Sequence, residues 1–165
     1  MEVKDIGSEV QLRGKKWTLL MDSVVGNIFD TMYQVFILCA SIGIMKDKRI
    51  IIELDDEDKD YVKTIARTVL IRNIKDLDFL FSTAIISTYT EDFSVDHRLK
   101  LAFGSNEDFK KMRFIEEFAN AGMEDMLTVI DDNDLVMMQN IKDLFNNLAQ
   151  HDYLEDIELD INIIL

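Results

Sequence analysis

Two histidines, His97 and His151, and a single cysteine, Cys39, are the chain's whole supply of the side chains that most often act as bases, nucleophiles or transition-metal ligands at neutral pH. His151 and Glu155 stand four residues apart, the spacing that puts two ligands on one helix face, but no third ligand follows and a solvated pair is the expectation. "DDNDLVMMQNIKD" begins like a calcium loop. It has Val136 where the sharp-turn glycine belongs and Lys142 where the bidentate glutamate belongs, so an EF-hand is excluded. No GxxxxGK[ST], GxGxxG or GxSxG is present, which removes the usual phosphate cradles and the nucleophile elbow. Cys39 lies in an aliphatic run, where a thiol acts as a small hydrophobe. Neither a metal, a cofactor nor a catalytic residue is expected.

Two polar constellations remain. Glu116, Asn120 and Glu124 fall four apart on one side of an amphipathic helix whose other side carries Ile115, Phe118, Gly122, Met126 and Val129. The polar stripe reads as a solvated face, a partner-contact face or a pair of catalytic carboxylates, the last lacking a histidine or metal to work with. Gly122 interrupts the apolar side at a cost of about 1 kcal/mol relative to alanine, which points to another helix backbone passing close. The second constellation is basic: Arg13, Lys15 and Lys16 open the first helix, and Lys46, Lys48 and Arg49 follow the second. If these helices are antiparallel neighbours, both clusters meet at one end, as a surface for DNA phosphate or for an acidic patch on a partner enzyme. The helix dipole accounts for the second cluster but disfavours Lys15 and Lys16 at a helix start.

The elements that position these residues follow from period and composition. Acidic side chains number 32 against 18 basic, a net charge of −14, so nucleic acid is touched only locally or through a partner. The absence of proline and of repeats implies one domain over residues 1–165, large enough to bury a core without staples. The longest uncharged run, Thr31 to Met45, falls short of the ~18–20 residues needed to span a bilayer, and the lone cysteine suits a reducing cytoplasm. A mainly helical fold of six or seven helices is expected. The helices fall near Lys15–Val25, from Asn27 as a cap to Gly43 as a stop, Asp58–Asn73, around Leu77–Ile85, across the glycine-interrupted stretch, and from "DDND" onward through Leu135, Met138, Ile141, Phe145 and Leu148. Residues 92–107 read as a loop with a helical turn near Leu99–Phe103. A minor β element is expected in "RIIIEL", residues 49–54, and at 156–164, where Ile157, Leu159, Ile161 and Ile163 alternate with polar residues. That tail either pairs within the chain or adds to a partner or a second copy.

Two stretches also carry a resemblance. "IFDTMYQVFILCASIGIMKDKRI" and "FIEEFANAGMEDML" resemble the aromatic-acid-Thr helix with its small-residue ending and basic tail, and the "FEEYANGGLEIL" segment, of small bacterial Dnd-type proteins encoded beside DNA-phosphorothioation systems. Phe118 stands where that family has Tyr, and Ala121 replaces the first glycine of the pair. The resemblance implies an accessory, non-catalytic subunit of an antiphage defence system, working through contacts with other proteins of a defence complex, and brings no catalytic residues. Two other classes compete with it: an acidic DNA mimic that inhibits a DNA-processing enzyme, which needs acids spread over one face, and a metal-dependent nuclease, which needs converging carboxylates.

Overall fold

In the computed structural model the described residues are 1–53, 58–104 and 109–155, the side chains of 151–155 excepted. In chain order they form β1 (Glu9–Arg13), α1 (Lys15–Val24), α2 (Met32–Met45), β2 (Val62–Ala66), α3 (Arg67–Arg72), α4 (Ile74–Ser87), α5 (Val95–Phe103), α6 (Lys111–Leu127) and α7 (Asp134–Glu155). The architecture is mainly α, seven helices with a two-stranded antiparallel sheet. No helix among the described residues is long and apolar enough to cross a membrane.

α2 is the centre of the molecule because it is apolar nearly all round: Val35, Phe36, Cys39, Ala40, Ile42 and Ile44 are all buried. Thr31, not Asn27, starts it. The Thr31 hydroxyl accepts the Gln34 N–H at 3.3 Å while the Gln34 side chain accepts the Thr31 N–H at 3.0 Å, a reciprocal cap. Gly43 does not end the helix, which runs on to Met45. Its role is to admit α6. A Cβ on Gly43 would stand 2.8 Å from the Phe118 carbonyl carbon, and one on Gly122 would stand 2.7 Å from the Cys39 carbonyl carbon, each closer still to the oxygen. Two antiparallel helices thus approach backbone to backbone, each glycine receiving a carbonyl of the other helix one turn from that helix's own glycine. The interruption in the α6 sequence is a packing device.

Around this pair the core is closed by Trp17, Leu20 and Val24 of α1 and by Leu77, Phe81, Ala84 and Ile85 of α4. Phe81, Phe109, Phe114 and Phe118 meet as a chain of tilted and edge-to-face rings, with centroids 5.1–6.0 Å apart. α7 starts where Asn133 Oδ1 accepts the Leu135 N–H at 3.0 Å. Its inward seam differs from the expected one: Met137 is buried and Ile141, Leu144, Phe145 and Leu148 pack against the core, whereas Leu135 and Met138 are exposed.

The sheet corrects the reading of two segments. β2 occupies residues expected to be helical, and it pairs with β1 in the register Val10↔Ile65. β1 alternates, with Val10 and Leu12 buried between exposed neighbours. The expected strand at 49–54 does not form: residues 49–53 belong to no strand and lie along α6, the Ile50 N–H donating to the Glu117 carbonyl at 2.9 Å. Residue 54 and the expected strand at 156–164, with Ile157, Leu159, Ile161 and Ile163, lie outside the described residues. α5 forms a full helix over what reads as loop, begun by Ser94, whose hydroxyl accepts the His97 N–H at 3.3 Å.

Candidate functional site

The polar stripe of α6 and both basic clusters meet. Asn120, at the middle of the stripe, accepts the Trp17 indole N–H at 2.9 Å and donates to the Ile50 carbonyl at 3.0 Å. It joins α1, α6 and the segment after α2, so all of its polar contacts are structural. One turn on, Glu124 receives Lys16 at 3.2 Å and Lys48 at 3.4 Å. The Lys16 ammonium hydrogen-bonded to it holds the Glu124 carboxylate below its ordinary range, with Lys48 acting in the same direction. Lys46 reaches Asp125 at 2.6 Å.

Arg49 is the most enclosed cation of the two basic clusters. It pairs with Glu117 at 3.1 Å and with Glu91, and its guanidinium lies 4.6 Å from the Phe114 ring centroid and 5.8 Å from that of Phe118. Arg113 adds a second cation to Glu117 at 3.2 Å. The side chains of Arg49 and Glu117 are mostly buried, and each also has a second partner of opposite charge, Glu91 for Arg49 and Arg113 for Glu117.

The two basic clusters are therefore brought to one end of the molecule, with Lys16 and Lys48 sharing a single carboxylate. Carboxylates of α6 are interleaved among them, and Lys16 at the start of α1 is explained by Glu124, 108 residues away in sequence, rather than by its own helix. Lys15 gives its backbone N–H to Asp58 at 3.3 Å and sets its ammonium 5.7 Å from the Tyr61 ring centroid. Arg13 Nε donates to Gln11 at 3.1 Å.

Glu116 stands apart from this clasp. Burial pushes its carboxyl up to about 7, with Arg113 opposing and Glu117 reinforcing the rise. It lines a cleft of about 210 Å³ together with Leu12, Arg13, Ile52 and Arg113. A second cleft, of about 450 Å³, lies on the other side of Asn120 and Ile52, against Lys16, Met123 and Glu124. Of the three stripe residues, two are spent on holding segments together and one is a half-buried acid that can hold a proton near neutrality. No group of three or more His, Cys, Asp or Glu side chains among the described residues could hold a metal ion. His97 stacks on Phe93, rings 4.7 Å apart and 3° from parallel.

What the sequence did not disclose is the outer face of α4 and α5. Phe79, Ile86, Tyr89, Val95, Leu99 and Phe103 are all exposed there, a concentration of large apolar side chains that a packed α4–α5 hairpin leaves facing outward. Its signal was present in Ser94 as a helix cap and in the spacing of Val95, Leu99 and Phe103, which recur every four residues.

Among curated proteins and among solved structures, nothing matches the chain. Residues 18–162 match a family model described as DNA sulphur modification system-associated protein 4, a span that takes in the α2 and α6 segments with both interlocking glycines. The chain belongs to that family, and so to the proteins associated with a DNA sulphur modification system.

Proposed function

We propose that this protein is a non-catalytic accessory subunit of its DNA sulphur modification system, in the setting of antiphage defence, and that it acts by binding other proteins of the system. The observation that carries this reading is the contrast between its two surfaces. On α6 the carboxylates Glu117, Glu124 and Asp125 are engaged by Arg49, Arg113, Lys16, Lys48 and Lys46, which makes them parts of a clasp. On α4 and α5 the large apolar side chains Phe79, Ile86, Val95, Leu99 and Phe103 stand exposed, and exposed apolar groups that cluster mark contact surfaces. The same ion pairs speak against a phosphate mimic, which needs unpaired carboxylates in a regular array.

The test uses a strain from which the gene has been deleted, complemented with the full chain or with Glu116→Gln, which removes the acid that burial raises to about 7. Wild-type DNA sulphur content and restriction of unmodified DNA with Glu116→Gln, together with co-elution of the purified chain with at least one purified protein of the system, support an accessory role. Loss of either activity with Glu116→Gln at normal levels of folded protein overturns it in favour of catalysis.

A further inference from the structure

At the far end of the α4–α5 hairpin from Phe79 and Phe103, the chain forms a hollow of about 450 Å³ walled by Ile86, Tyr89, Phe93, Val95 and Leu99. Tyr89 is 79% exposed and Val95 72%, so the walls project rather than fold inward. The hollow is nonetheless built rather than loose, and Arg98 is the reason. Its guanidinium donates to the carbonyls of Ile85 at 3.0 Å, Glu91 at 2.9 Å, Phe93 at 3.1 Å and Thr88, gathering the end of α4 and the loop into α5 around one point. Tyr89 is held from both sides: its N–H donates to the Asp47 carboxylate at 2.9 and 3.0 Å, and its ring lies 5.0 Å from the Arg98 guanidinium carbon. A preformed apolar hollow of this kind loses little freedom when filled.

The charge at its rim selects the occupant. Arg98 is spent on backbone carbonyls, and Glu91 is paired with Arg49. Asp92 lines the hollow and Asp96 follows the lining residue Val95 on α5; both are exposed, and no ion pair joins either to a cation among the described residues. An apolar hollow edged by unpaired carboxylates, on a chain of net charge −14, fits an apolar side chain flanked by cations. A second copy of this chain would bring the same acids against these.

Building on the accessory role above, we infer that this hollow is the docking site for a basic amphipathic helix of a partner protein in the system, an aromatic or leucine side chain entering between Tyr89 and Leu99 while Lys or Arg residues one turn away meet Asp92 and Asp96. The mode is an amphipathic helix laid into a groove, with charge setting specificity and association rate.

The experiment measures binding of the full chain to two synthetic helical peptides with the same apolar face, one flanked by lysines and one by glutamates, by fluorescence anisotropy. The lysine peptide is expected to bind at least tenfold more tightly. Leu99→Asp should abolish that binding, and Asp92→Asn with Asp96→Asn should remove most of the preference and its salt dependence, both with unchanged melting temperature. Equal affinity for the two peptides, binding to neither, or binding that survives Leu99→Asp overturns the inference. So does a concentration-dependent dimer in sedimentation velocity that Leu99→Asp dissociates, which makes a second copy the occupant. If the chain still co-elutes with a protein of the system when Leu99 is Asp, the accessory role stands and only this docking site fails. If the peptide binds as expected but no protein of the system co-elutes with the wild-type chain, it is the accessory role that fails.

Discussion

Glu116 shows what a half-buried acid does when its neighbours are occupied. In the unfolded chain its carboxyl titrates near 4.5, and in the folded protein near 7. Between those values the folded protein keeps a proton that the unfolded chain has released, so this residue's contribution to stability is full below about pH 4.5 and is lost as pH rises through 7. Glu116→Gln removes the dependence. At pH 8 the variant should be more stable than wild type by about 1–3 kcal/mol, and the gap should close by pH 4.5, as read by denaturant melts across that range. A gap that is constant with pH would show that Glu116 titrates normally. The clasp around Glu124 behaves differently, because its pairs are half exposed. Lys16→Glu with Lys48→Glu sets three carboxylates together and should cost about 1 kcal/mol, and adding Glu124→Lys should recover most of it. Denaturation midpoints of the double and triple variants check this.

The helices owe their arrangement to bare backbone. Because carbonyl groups of α2 and α6 occupy the space that a Cβ would need, Gly122→Ala or Gly43→Ala must push the helices apart, which costs about 1–3 kcal/mol or more and should lower the melting temperature by several degrees, about 2–8 °C for a domain of this size. An unchanged melting temperature for both would contradict the close approach. This contact was legible in the sequence, since Gly122 sits within an otherwise helical apolar stripe. The α4 core residues were legible for the same reason, Leu77, Leu80, Phe81, Ala84 and Ile85 all being buried. β2 was not, because Val62, Ile65, Ala66 and Val69 satisfy a helical spacing. Only the pairing of Val10 with Ile65, 55 positions along the chain, decides for a strand. "RIIIEL" failed in the opposite sense: its β-branched run suits a strand, but α6 offers Ile50 a carbonyl and the Asn120 amide instead of a strand edge. The polar clasp also had no local signature, since Lys48 and Glu124 are 76 residues apart. The hollow beside Tyr89 depends on Arg98 gathering four carbonyls, which no spacing announces.

At the scale of the molecule, charge dominates. With a net charge of −14, the folded chain repels itself at low ionic strength, while the pairs it does form lie partly shielded against α6. Raising salt from ~10 mM to ~150 mM shortens the Debye length from about 30 to 8 Å, so it should weaken the repulsion across the molecule more than the contacts at 2.6–3.4 Å. The melting temperature is expected to rise over this interval, by a few degrees in differential scanning calorimetry. A fall would mean that the ion pairs outweigh the repulsion. The same charge makes any basic partner approach quickly and makes self-association through the acidic faces unfavourable.

The crossed glycines carry a consequence for genetics. Most damaging core substitutions can be relieved by trimming the side chain they collide with. At Gly43 and Gly122 the collision is with the main chain of Phe118 and Cys39, and no codon change removes a carbonyl. A screen for suppressors of Gly122→Ala should therefore return few changes at neighbouring positions and mostly distant ones that raise stability everywhere. The two sites should also diverge little as the family drifts, since neither has a partner residue whose change could compensate its own.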